Sequence, residues 1–324
     1  MSNQKCSLDT NPSASAPTRP TFADNKTVGI VGLGLIGGSL AKALKLDTGN
    51  RVLGYDINPN VIKQALAEKA IDAVLALRQD ASTQDTSGGA AASAHGTMPA
   101  AQLDECDMVL IALYPEATID FVRANWDKFK KGTVIIDCAG VKAEICAELS
   151  AEAAKRDLYF VGGHPMTGIE RTGFEHSFAH LFSGGTMILC RDEHTNIIAL
   201  KAAEMLFTGI GFLKITITSA EEHDRVIAFT SQLPHVVAGA FIRSETAKQQ
   251  LGFSAGSYQD LTRVAFLNEP MWTELFMANR ENLISEIEGL RTRLEEYVQV
   301  LEEGDEQKML ALLAEGKLAK QHYG

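Results

Sequence analysis

Residues 27–38 read TVGIVGLGLIGG, and the reading of this stretch decides the fold. TVGIV is a short, apolar, β-branched run of the kind that forms a buried strand, and the chain from Ile36 to Leu46 continues with helical periodicity. Between them Gly32, Gly34 and Gly37 stand in G-x-G-x-x-G spacing. The first glycine permits a tight turn, the second lets a pyrophosphate approach the backbone, and the third lets helix and strand pack closely. A helix opening there offers unpaired N–H groups and partial positive charge to phosphates. Asp56 closes the next strand, RVLGYD, where an acid is expected to hold the ribose hydroxyls of a dinucleotide. Its charge would repel a 2′-phosphate, and Ile57, Asn58 and Pro59 supply no cation to welcome one, so NAD is expected rather than NADP. The predicted cofactor site comprises Gly32, Leu33, Gly34, Leu35, Ile36, Gly37, Asp56, Ala112 and Gly140.

Working outward, MVLIAL, TVIIDCA, YFVGG, TMILC and FLKITIT are further strand candidates, interleaved with helical patterns such as NPNVIKQALAEKA and residues 115–129. Strands alternating with helices predict an α/β fold with a Rossmann-type parallel sheet, here over residues 27–217. Residues 81–101 break the rhythm with small and polar residues and read as an inserted surface loop that carries His95. Residues 1–26, rich in Ser, Pro, Thr, Asn and Ala, read as a disordered leader. After residue 218 the pattern is all-helical to residue 324, beginning with SAEE in capping-box spacing. Leu283, Ile287, Leu290, Leu294, Tyr297 and Leu301 form a 4-3-4-3-4 seam for a partner helix, within the chain or across a subunit boundary.

A chain of 324 residues with 45% hydrophobic and 22% charged residues fits two packed domains. The formal charge of −11 argues against nucleic acid, which needs a concentrated basic face. An anionic substrate must be held by specific cations against that overall field. No uninterrupted apolar run reaches the ~18 residues of a bilayer span, and the N-terminus lacks the order of a secretory signal. Five scattered cysteines (Cys6, Cys106, Cys138, Cys146, Cys190) without a CxxC pair read as reduced thiols, so a cytoplasmic protein is expected. His176 and His180 stand four apart, but a third ligand is missing and no metal is expected.

Three later segments bear on the substrate: GGHPMTGIERTG around His164, HDRVIAFTSQLPH over residues 223–235, and FSAGSYQDLTRVAFLNEPMW over residues 253–272. In this order behind a dinucleotide fingerprint, they resemble the prephenate and arogenate dehydrogenases of tyrosine biosynthesis. The resemblance implies NAD-dependent oxidative decarboxylation of prephenate, with arogenate as the rival substrate, and a homodimer formed through the helical domain. It assigns His164 as the base on the ring hydroxyl and Arg263 as the holder of the ring carboxylate. It places His235, Ser231, Gly256 and Trp272 near the substrate and Glu170 at the pocket entrance. The residue types suit that chemistry independently. A histidine of ordinary pKa near ~6.5 takes a hydroxyl proton at neutral pH, and a planar guanidinium grips a carboxylate with two parallel bonds.

One departure stands out. The family often carries a serine in a GSxK segment, and here the segment is DCAGVK, with Gly140 in the serine's place. Lys142 is kept, either as a source of positive charge or as a solvated surface lysine. His223 and Asp224 read as a cap or brace for a helix, and Glu221 or Glu222 as acids that would favour arogenate. A β-hydroxyacid dehydrogenase is the rival enzyme class, although its helical lysine motif is missing. A non-catalytic NAD-binding protein leaves His164 and Arg263 without a purpose.

Overall fold

The structure is a computed structural model that describes residues 26–77, 100–169 and 171–323. Residues 1–25, most of the expected 81–101 loop with His95, and Glu170 lie outside the described residues. The strands are β1 (Thr27–Val31), β2 (Arg51–Tyr55), β3 (Ala73–Leu75), β4 (Ala100–Ala101), β5 (Met108–Ile111), β6 (Val134–Asp137), β7 (Tyr159–Pro165), β8 (Thr186–Cys190) and β9 (Lys214–Thr218). They form one sheet in the order β4-β3-β2-β1-β5-β6-β7-β8-β9. Every neighbouring pair is parallel except β7 with β8. Helices α1 (Leu35–Asp47), α2 (Pro59–Ala67) and α5 (Ile197–Gly209) cover one face, while α3 (Pro115–Ala124) and α4 (Ala143–Ala154) cover the other. Two apolar layers result, one holding Leu40, Ile62, Leu110 and Phe207, the other Val109, Val122, Ile135 and Leu149. Each such side chain contributes about 1.5–3 kcal/mol by leaving water.

The strand order reverses between β1 and β5, and in open sheets ligands bind outside the carboxyl ends at such a switch point. The glycine-rich turn sits there, between β1 and α1.

Two expectations need correction. Ala100 and Ala101, read as loop, form β4 at the sheet edge, because they pair with Val74 and Leu75. His164, read as a loop residue after YFVGG, lies within β7. The antiparallel strand β8 pairs His164 with Ile188 and Pro165 with Met187, which keeps the backbone extended past the glycines.

Beyond β9 the described chain is helical: α6 (Ala220–Ile227), a π-helical turn (Ala228–Gln232), α7 (Leu233–Ile242), α8 (Gly256–Thr262), α9 (Glu269–Ala278), α10 (Arg280–Glu303) and α11 (Glu306–Tyr323), with short 3-10 turns between some of them. Ser219 starts α6 by accepting the Glu222 N–H at 3.2 Å, as its spacing predicted. Residues 220–242 make one continuous helical run of 23 residues that contains an 18-residue window of mean hydropathy 1.2, long and apolar enough by length and composition alone to cross a bilayer. Its buried His223, Asp224 and Gln232, however, are hydrogen-bonded to other elements of this protein. The α10 seam is divided. Leu283 is buried, whereas Leu294 and Leu301 are exposed.

Candidate active site

At the nucleotide end, Gly32 has φ +84°, the left-handed region that glycine tolerates best. A Cβ on Gly37 would fall 1.8 Å from the Gly32 carbonyl oxygen, so that position tolerates glycine alone. Gly34 faces open space, with nothing within 4 Å of where its Cβ would be. No side chain caps α1, so its first N–H groups remain for a ligand. Asp56 follows β2 directly, and its carboxylate accepts the Leu33 and Asn58 N–H groups, both at 2.8 Å. These bonds tie the acid at the end of β2 to the glycine-rich turn. Gly34, Leu35, Ile36, Ala112 and Asp56 are half-buried and border the opening. The cradle fits a dinucleotide.

The second group is built on β7. A Cβ on Gly163 would meet the Asp137 carbonyl oxygen at 2.5 Å, so a glycine is required for β7 to lie this close to the end of β6. The next residue, His164, is half-buried, and its Nδ1 lies 2.9 Å from Nε2 of His223 on α6. The Nδ1 of His223 lies 2.7 Å from Oδ1 of Asp224. A carboxylate only accepts, so His223 carries its proton on Nδ1 and presents a lone pair on Nε2. His164 must then donate from Nδ1, which leaves its own Nε2 unprotonated and free to accept a proton. Burial, reinforced by the neighbouring His223 and the Lys142 charge, holds the His164 pKa well below the ordinary histidine value. Burial also lowers that of His223, partly opposed by its bond to Asp224. Both rings are neutral at pH 7.

The brace expected at His223 and Asp224 is therefore only half of what they do. Asp224 accepts the Lys142 and Ala143 N–H groups, each at 2.8 Å, and so caps α4 of the sheet domain from the helical domain. His223 is the part that sequence reasoning missed. The signal available was a histidine beside an acid one turn inside a capped, amphipathic helix. Asn279 locks the rear of this group by donating to the Asp224 carbonyl at 2.8 Å and to Gln232 at 2.9 Å.

Lys142 is not a surface residue. It is fully buried, and its ammonium donates to the equally buried Asp137. Asp137 in turn accepts the Gly163 N–H at 3.2 Å, next to His164. Gly140, where the resembled family often has serine, has a structural explanation. A Cβ there would approach Leu275 Cδ2 to 3.1 Å, because that α9 leucine occupies the space above the loop.

A third group gathers the remaining substrate candidates on the helical domain. His235 Nδ1 donates to the Val264 carbonyl at 2.8 Å, which anchors the turn that begins at Arg263. Its ring packs on Trp272 with centroids 3.8 Å apart. Arg263 is exposed on that turn, Ser231 is half-buried in the π-helical turn, and Gly256 is exposed at the start of α8. The structure thus brings His164 to His223, and His235 to Trp272 and the Arg263 turn. Gln232 links the two groups by donating to the Leu275 carbonyl at 3.1 Å. A separate groove of about 1150 Å³ between α3, α4, α6 and α9 is lined by Glu116, Asp120, Glu144, Glu148 and Glu221, and its charge is wrong for an anionic substrate. Glu222, one of the acids considered for an ammonium group, is committed to Arg225 at 2.7 Å.

Comparison with known proteins places this arrangement. The prephenate dehydrogenase nucleotide-binding domain model matches residues 77–215, and the prephenate dehydrogenase dimerization domain model matches residues 219–315. A cyclohexadienyl dehydrogenase of Zymomonas mobilis is 30% identical over 283 residues, covering 83% of this chain and 88% of that protein. The chain belongs to the prephenate dehydrogenase family. A prephenate dehydrogenase of Lactococcus lactis is 27% identical over 304 residues, covering 91% of this chain and 77% of that protein. The crystal structure of prephenate dehydrogenase from A. aeolicus in complex with hydroxyphenyl propionate and NAD+ superposes with a TM-score of 0.75 at 25% identity, covering 94% of this chain and all of that one. Like other members of the prephenate dehydrogenase family, the protein is a dehydrogenase with a nucleotide-binding domain followed by a helical dimerization domain.

Proposed function

We propose that the protein is an NAD-dependent prephenate dehydrogenase that converts prephenate to 4-hydroxyphenylpyruvate and CO2. The observation that carries this reading is the Asp224–His223–His164 chain of hydrogen bonds, which leaves a neutral imidazole nitrogen of His164 near the carboxyl end of β7, the same edge of the parallel sheet as the glycine turn. Gly32, Gly34, Gly37 and Asp56 would hold the cofactor, which when bound accepts the hydride from the ring carbinol. His164 Nε2 takes the hydroxyl proton as the oxygen moves toward a carbonyl. The bond to the ring carboxylate then breaks, its electrons complete the aromatic ring, and His164 returns the proton to the phenolic oxygen. Arg263 holds the dianion in place, with His235, Ser231, Gly256, Trp272 and Glu170 around it. General-base help of this kind is worth about 10²–10⁴-fold.

The domain boundary is placed between residues 217 and 218, at the end of β9 and just before α6. A homodimer through the helical domain is supported by the exposed Leu294, Leu301, Leu310 and Leu313 along α10 and α11. A cytoplasmic location is supported by the free, buried thiols of Cys106, Cys138, Cys146 and Cys190. The test is NADH formation with prephenate and arogenate side by side, using wild type and His164→Asn. Prephenate should give the higher kcat/KM, and the variant should lose at least about a hundredfold in kcat with NAD affinity kept. A higher kcat/KM for arogenate reassigns the substrate, and an intact His164→Asn turnover removes the proposed base.

A further inference from the structure

The sheet has a second cavity at its opposite end. It has a volume of about 270 Å³ and opens at the amino ends of the central strands, whereas the glycine turn lies at their carboxyl ends. Five-residue strands separate the two by about 16 Å. Val28, Met108 and Val134, from three adjacent strands, form one apolar wall. Ile198, Ala199, Ala202 and Leu206 of α5 form the other, and the small side chains of the two alanines leave a slot between helix and sheet. Three lysines, Lys26, Lys130 and Lys131, also line it, in a chain whose net charge is −11.

The charges around the slot are unequally used. Asp107 is the only carboxylate lining the cavity among the described residues. Its oxygens are taken by Lys130 at 2.7 Å and by the Thr27 N–H at 3.0 Å. Lys131 reaches outward to Asp157 at 2.7 Å but is largely exposed. Among the described residues no carboxylate lies within ion-pair distance of the Lys26 ammonium, although its charge helps to hold the Asp107 carboxyl below its ordinary value. An apolar slot with cations at its rim selects a ligand with a flat apolar body and an anionic end. The same cations disfavour a ligand that carries its own ammonium.

We propose that this cavity is a second binding site, separate from the dinucleotide cradle, for a small monocyclic aryl carboxylate without an α-ammonium group. The ring enters between Ala202 and the strand ends, and the carboxylate meets Lys26. The site does not depend on which substrate the enzyme oxidises.

The test is calorimetric titration of the full-length protein with 3-phenylpropionate and, as control, L-phenylalanine, which adds only the ammonium. It is run in an Arg263→Gln background so that the proposed substrate site contributes little. That variant should bind one 3-phenylpropionate per chain, and L-phenylalanine at least about tenfold more weakly. Adding Lys26→Glu should weaken 3-phenylpropionate at least about tenfold, the loss expected for one charge-assisted contact. Adding Ala202→Phe should abolish binding by filling the slot. NAD affinity, measured on each variant, reports that the sheet domain is folded. Absence of 3-phenylpropionate binding in the Arg263→Gln protein, or binding that Lys26→Glu leaves unchanged, overturns the proposal.

Discussion

Replacing Asp224 by Asn changes one atom and should damage both stability and catalysis, by separable routes. The carboxylate accepts three N–H groups: Lys142 at 2.8 Å and His223 Nδ1 at 2.7 Å on Oδ1, and Ala143 at 2.8 Å on Oδ2. Hydrogen bonds to a charged group are worth about 1.5–3 kcal/mol each. An asparagine oxygen can keep two of them, but its NH2 group must then face the third donor. The negative charge at the N-terminus of α4 is also lost, which adds about 0.3–2 kcal/mol. The expected destabilisation is about 2–4 kcal/mol, read as a fall in Tm of roughly 3–6 °C. The catalytic effect arises differently. If the amide NH2 turns toward His223 Nδ1, the proton of that ring moves to Nε2, and His164 must then accept at Nδ1 and carry its proton on Nε2. The base becomes a donor, and kcat should drop by about 10²–10⁴-fold, equivalent to about 3–5 kcal/mol of barrier. Steady-state kinetics below the variant's Tm separates this from unfolding, because the KM for NAD should be unchanged. A folded Asp224→Asn enzyme whose His223 is shown by 15N NMR to carry its proton on Nε2, yet whose kcat stays within about threefold of wild type, refutes the relay.

Other consequences follow from the same geometry. His164 and His223 have depressed pKa values in the folded protein, so they stay neutral as the pH falls below ~6.5 while the unfolded chain binds protons. Stability to urea should therefore decline below about pH 6.5, and the acid limb of kcat/KM should lie below the ordinary imidazole range; a limb at or above pH 7 contradicts the neutral base. Lys142→Met leaves Asp137 charged, buried and unpaired beside Gly163, and should cost about 3–5 kcal/mol in urea unfolding. A loss below about 1 kcal/mol would show that the pair is solvated. Asp56→Asn removes the charge expected to repel a 2′-phosphate while keeping one acceptor for Leu33 or Asn58. The NADP-to-NAD ratio of kcat/KM should rise at least about tenfold, and an unchanged ratio removes Asp56 as the selector.

The dinucleotide cradle was legible in the sequence because its geometry is local. Gly32 and Gly37 lie in one turn, and the strand and helix they join announce themselves by periodicity. The same holds for Ser219, whose capping role is fixed within four residues. Reading failed where a partner comes from afar. Nothing near His164 in sequence signals that β8 returns antiparallel to extend β7, so the residue reads as loop. Only the packed fold shows Asp137 enclosed with Lys142, so the sequence leaves that lysine open between surface and site.

The sequence alone determined the fold class and the nucleotide turn, since each rests on residues a few positions apart whose backbone preferences and spacing suffice; it marked His164 as the expected base only through the family resemblance. The tertiary structure alone decided which nitrogen of His164 is free, because that depends on His223, 59 residues away. It also decided that Leu275 fills the space over Gly140. Contacts of this kind form only when two domains dock, and no local propensity encodes them.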